Sequence, residues 1–152
     1  MITESKIMKR SHGIEVLLVD DDPADVELAC ESLRESKVAL NLSIANNGEE
    51  ALNFLFKKDA YTTAPTPDII LLDLNMPKKS GKEVLKEIKK DEHLKKIPVV
   101  VLTTSDAHED IHKSYDLGAN CYVKKPVGLA EFEKVVRALE NFWFTVVKLP
   151  SN

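Results

Sequence analysis

The chain has 152 residues, 43% hydrophobic and 30% charged, with a formal charge of -4, the balance of one ordinary soluble domain able to bury a core. The acidic balance argues against a nucleic-acid or anionic-membrane surface, because no basic excess is present to neutralise phosphates, and no apolar stretch approaches a membrane span. The polar start MITESKIMKRSHG lacks the apolar core of a secretion signal, so a cytoplasmic protein is expected, with Cys30 and Cys121 as reduced packing thiols.

In chain order, residues 1–13 are expected to be a disordered tail, 14–147 a domain with an extended final helix, and 148–152 a second tail. VLLV, Val16–Val19, is a short continuous apolar run, and the acidic residues and Pro23 after it mark a buried strand entering a helix. In that helix Val26, Ala29, Cys30 and Leu33 fall at i, i+3, i+4 and i+7 and make one inward stripe. Leu40, Leu42 and Ile44 alternate as a second strand, and NNGEEALNFLF opens a second helix expected to turn Leu52, Leu55 and Phe56 inward. The link AYTTAPTPD leads to a third strand, IILLD, and SGKEVLKEI to a third helix; Lys86, Lys89, Lys90, Lys95 and Lys96 read as a solvated face. PVVVLT is a fourth strand, DAHEDIHKSYDLGA a fourth helix stopped at Gly118, and CYV a fifth short strand. The last helix starts near Leu129 and carries Phe132, Val136, Leu139 and Phe142 inward.

Five apolar strands alternating with five amphipathic helices predict an α/β fold, a five-stranded parallel sheet covered on both faces. Ligands in such folds sit beyond the carboxyl ends of the strands. The polar residues that interrupt the apolar runs all lie there: Asp20, Asp21 and Asp22 after strand one, Asp73 ending strand three, Thr103 and Thr104 ending strand four, and Lys125 after strand five. With the strand order 2-1-3-4-5, Asp20 and Asp21 come beside Asp73. Crowded carboxylates repel one another, and a shared hard divalent cation relieves the repulsion; Mg²⁺ suits, since it accepts a few carboxylates and keeps room for a phosphoryl oxygen. Asp73 can then act as a carboxylate nucleophile toward a phosphoryl group, with Lys125 supplying positive charge and the Thr103 hydroxyl donating to the transferred oxygens.

These residues resemble a known family, the response-regulator receiver domains, from Val16 to about Phe142. LLVDDD carries the acidic pair, LLDLNMP the phospho-acceptor Asp73, MPKKSG the turn glycine Gly81, VLTTS the switch hydroxyl Thr103, and YVKKP the lysine Lys125 before Pro126. The resemblance implies the flavodoxin-like receiver fold and Mg²⁺, replaceable by Mn²⁺, held by Asp21, Asp73 and the main-chain carbonyl of Asn75, with Asp20 acting mainly through water. It also implies a switch in which Thr103 moves toward the phosphoryl group and Tyr122 rotates inward. ADVELACESL, the long loop before strand three and ALENFWF are similar to the small single-domain regulators that partner cyanobacterial and bacterial phytochrome kinases. A sensor histidine kinase, in that case a phytochrome, is the implied phosphoryl donor. Asp22 departs from the Asn that this subfamily often has there, so it either adds a negative charge to the pocket or merely caps the helix that starts at Pro23. Thr104 stands at a gate position where a small residue is usual, followed by Ser105.

Two other chemistries compete. HEDIH, His108 to His112, fits the zinc-peptidase pattern H-E-x-x-H, but no third histidine follows it, and a polar helix start is the preferred reading. An Mg²⁺-dependent aspartyl-phosphate phosphatase is the alternative function; such enzymes carry D-x-D and a cap, whereas Asn75 stands two past Asp73 and no cap-sized insert is present. The preferred reading is therefore a switch that is not an enzyme beyond its own phosphorylation and dephosphorylation. No output domain is read after the last helix, so the signal is expected to leave through a surface that binds another protein. Val135, Trp143, Val146 and Val147 widen the apolar arc of the last helix beyond one stripe, which predicts a homodimer interface.

Overall fold

The computed structural model of the protein describes residues 14–34, 40–74, 76, 80–103, 121–124 and 128–145; residues 103, 121–124, 139, 140 and 142–145 are described as strand or helix backbone. The two expected tails, the expected fourth helix and its HEDIH segment lie outside the described residues. Strand β1 spans Ile14–Val19, followed by α1 (Pro23–Arg34), β2 (Leu40–Ala45), α2 (Gly48–Leu55), β3 (Ile69–Asp73), α3 (Gly81–Lys90), β4 (Val99–Thr103), β5 (Cys121–Lys124) and α4 (Leu129–Thr145). The strands lie in the order β2-β1-β3-β4-β5, and every pairing is parallel.

Strand parity divides the core in two, because successive side chains point to opposite faces of a sheet. Leu17, Val19, Ile70, Leu72, Val99 and Val101 meet Ala51, Phe54 and Leu55 of α2 and Val84, Leu85 and Ile88 of α3. The alternate residues Ile14, Val16, Leu18, Ile69, Leu71, Val100 and Leu102 meet Ala29 and Leu33 of α1 and Phe132 and Val136 of α4. This double coverage is why β1, β3 and β4 read as continuous apolar runs rather than alternating ones. β2 pairs only with β1 and is correspondingly less buried, with Leu40, Leu42 and Ile44 each half-covered.

Two helix stripes differ from expectation. In α1 the buried residues are Ala29, Ser32 and Leu33, while Cys30 is half-buried and carries a free thiol. In α2 they are Ala51, Phe54 and Leu55, one position back from the expected Leu52, Leu55 and Phe56. Both sets obey the i, i+3, i+4 spacing, so periodicity alone could not choose between them. The helix stops at Leu55; Phe56 caps it, Lys57 turns into the left-handed region at φ 57°, and Phe56 is left 37% exposed. The chain then folds back along α2: Tyr61 packs against Phe54 with ring centroids 5.6 Å apart, and Lys57 donates to the carbonyl of Ala64. Burial first, and then the Glu50 carboxylate that accepts its hydrogen bond, push the Tyr61 phenol above its ordinary range.

Candidate functional site

Strand register builds the site. β1 and β3 pair Val19 with Leu72, so one step further along both strands sets Asp20 opposite Asp73. The Asp20 N–H donates to the Ala45 carbonyl at 3.0 Å, which keeps the chain beside β2 for one more residue. It then turns: the Asp22 N–H donates to Asp20 Oδ1 at 2.9 Å. Asp22 itself caps α1, its Oδ1 accepting from the Ala24 N–H at 2.9 Å and its carbonyl from the Val26 N–H at 3.1 Å, with Pro23 at the first helical position. Of the two readings of Asp22, the helix cap is the one observed.

Asp20, Asp21 and Asp73 each place a carboxylate oxygen within 4.8 Å of the others. Asp20 is 1% and Asp73 3% exposed, whereas Asp21 faces solvent. Confining like charges this closely in a low-dielectric setting is unfavourable unless positive charge joins them. Three hard oxygen donors with one side open to water fit a small divalent cation that binds few carboxylates and retains waters. The fold thus brings together the three carboxylates of the expected metal site, whose fourth member, the Asn75 carbonyl, lies outside the described residues.

The start of α3 packs directly on the Asp73–Leu74 backbone. A Cβ built on Gly81 would lie 2.3 Å from the Asp73 carbonyl oxygen and 2.6 Å from Leu74 Cα, so only glycine allows the two backbones to approach as they do. The Gly81 N–H donates to the Leu74 carbonyl at 3.0 Å, and the Leu74 N–H to the Leu102 carbonyl at 3.4 Å. A capping box precedes the helix: the Glu83 N–H donates to Ser80 Oγ at 3.3 Å, and the Ser80 N–H to Glu83 Oε1 at 3.0 Å. Ser80 and Glu83 were not singled out from the sequence, although S-G-K-E carries the S-x-x-E signature that would have identified them.

Thr103 ends β4, paired with Lys124, and Tyr122 lies in β5 opposite Val101. Lys125 follows the last residue of β5 and, with Asn75, Thr104 and Ser105, lies outside the described residues. Of the expected interface residues, Val135 is half-buried in α4, Trp143 belongs to the same helix, and Val146 and Val147 lie outside the described residues. Among the described residues, no helix is long and apolar enough to cross a membrane.

Comparison with known proteins agrees with this geometry. Residues 16–137 match the family described as the response regulator receiver domain. The response regulator Rcp1 of Synechocystis sp. is 46% identical over 136 residues, covering 90% of this chain and 92% of that protein. The crystal structure of the phosphorylated cyanobacterial phytochrome response regulator RcpA superposes with a TM-score of 0.83 at 45% identity, over 91% of this chain and 99% of that one. The Mn²⁺-bound form of Rcp1 gives 0.81 at 46% identity with the same coverage. Matched over most of its length by the family and by these relatives, the chain belongs to the response regulator receiver domains.

Proposed function

We propose that this protein is a single-domain response regulator of a two-component phosphorelay, accepting a phosphoryl group from a sensor histidine kinase on Asp73. The observation that carries the reading is the convergence of Asp20, Asp21 and Asp73 within 4.8 Å at the carboxyl ends of adjoining strands. Similarity to RcpA, a cyanobacterial phytochrome response regulator, supports a phytochrome as the kinase partner. Asp20, Asp21, Asp73 and the main-chain carbonyl of Asn75 would hold Mg²⁺ or Mn²⁺. Bound there, the cation screens the carboxylates and the incoming phosphoryl oxygens from one another. An Asp73 carboxylate oxygen forms the new P–O bond, while the P–N bond of the kinase phosphohistidine breaks and its electron pair leaves with the histidine nitrogen. Lys125 pairs with a phosphoryl oxygen, and the Thr103 hydroxyl donates to another, with Tyr122 following it inward.

In this reading the protein acts on no substrate but itself, and it works in the cytoplasm, where a kinase can reach it. Its signal leaves through a surface that binds another protein. A homodimer through α4, with Val135, Trp143, Val146 and Val147 as contacts, is part of the same proposal. Trp143→Ala is expected to shift sedimentation toward monomer; a wild-type monomer at every concentration would remove the dimer. The central test is intact-mass measurement after incubation with acetyl phosphate. A one-phosphoryl adduct is expected only with Mg²⁺ or Mn²⁺ and only on wild type; an equal adduct on Asp73→Asn would reject the assignment. Rapid turnover of many phosphate esters would instead mark a phosphatase.

A further inference from the structure

Among the described residues, Gly81 brings the start of α3 back to the end of β3: its N–H donates to the Leu74 carbonyl at 3.0 Å, and its backbone lies against the Asp73–Leu74 peptide. No side chain cushions that contact, so a shift of the first turn of α3 passes directly to Leu74 and to Asp73 beside it. The body of α3 is held separately by Val84, Leu85 and Ile88, all fully buried. Its first turn is also held by the reciprocal pair Ser80 and Glu83, since the leading N–H groups of a helix have no partners within it. Loss of the pair should therefore fray the one turn that abuts Asp73 and leave the rest of the helix in place.

We propose that Ser80 and Glu83 are positioning residues: their capping box holds Gly81 against the Asp73–Leu74 peptide and thereby sets the affinity of the carboxylate cluster for a divalent cation. The inference rests on the metal-dependent function proposed above. Glu83 is exposed and caps with its carboxylate oxygen, so glutamine, whose amide oxygen accepts the same hydrogen bond, should serve in its place.

Mn²⁺ titration followed by electron paramagnetic resonance of the free ion tests this on the full chain. Glu83→Ala and Ser80→Ala should each weaken binding about fivefold, the factor that the loss of a typical cap supplies. Glu83→Gln should stay within about twofold of wild type, because the cap survives it. Val136→Ala, a cavity variant in the opposite half of the core, should lower the melting temperature but leave the affinity unchanged, which separates positioning from general destabilisation. Wild-type affinity in both alanine variants overturns the proposal while leaving the metal reading intact. A loss in Glu83→Gln equal to that in Glu83→Ala also overturns it, since charge and not capping would then be responsible. Absence of Mn²⁺ binding by wild type removes the metal reading and this inference with it.

Discussion

Gly81→Ala places one methyl group where the structure has a backbone. Its carbon would start 2.3 Å from the Asp73 carbonyl oxygen, 2.6 Å from Leu74 Cα and 3.0 Å from the Asp73 carbonyl carbon. Bringing the closest contact from 2.3 Å to even 3.0 Å moves the helix start and the strand end apart by about 0.7 Å, and ordinary contact needs about 1 Å. Neither partner yields cheaply: Asp73 lies in β3, paired with Leu102 of β4, and the helix is anchored by its buried face. Overpacking of this kind costs ~1–3 kcal/mol, against up to ~1 kcal/mol that alanine regains over glycine in helix propensity. A net loss of about 1–2 kcal/mol in urea unfolding is expected. A displacement approaching 1 Å at the nucleophile should also slow phosphorylation by acetyl phosphate at least about tenfold. Both are read on one preparation, by denaturation and by intact-mass time course. A Gly81→Ala protein that is as stable as wild type and phosphorylated at the same rate would refute the close approach.

The two phenylalanines at the end of α2 should behave oppositely. Phe54→Ala is expected to cost ~3–5 kcal/mol by chemical denaturation, whereas Phe56→Ala, exposed and with the Lys58 ammonium 5.6 Å from its ring centroid, should cost under about 1 kcal/mol; equal losses would return Phe56 to the core. Among the described residues, Ser32 Oγ is buried with no hydrogen-bond partner, so Ser32→Ala should leave stability unchanged or raise it by ~1 kcal/mol, and a loss larger than that in thermal unfolding would show that the hydroxyl has a partner. Asp91 accepts the N–H groups of Leu94 and His93, each at 2.9 Å, and these bonds, Leu94 first, hold its carboxyl below the ordinary value of 3.8. Because the folded value is the depressed one, this stabilisation is complete above 3.8 and is lost as pH falls through the folded value. Carboxyl-carbon NMR should give Asp91 a midpoint under 3.8, and a midpoint at or above it would dismiss the cap on the turn at Leu94–Lys96.

The strands were legible because burial on both faces leaves no room for polar residues, so VLLV, IILLD and VVVLT stand out as apolar runs. The polar residues that end them were legible for the same reason: Asp20 and Asp73 are anomalous in a strand unless they mark the open end of the sheet. Chain order and alternation thus determined the parallel α/β class and the candidate acids. Tertiary structure decided matters that a local pattern leaves degenerate. Leu52, Leu55 and Phe56 satisfy helical spacing as well as Ala51, Phe54 and Leu55 do, and only the turn at Lys57 and the packing of Tyr61 on Phe54 select the second set. Asp22 differs from Asp21 in no chemical respect, yet the turn after β1 sends one carboxylate to a helix cap and the other to the cluster. Gly81 reads from the sequence as a turn residue; that it is the contact through which α3 bears on Asp73 follows only from two backbones distant in sequence meeting with no space for a side chain.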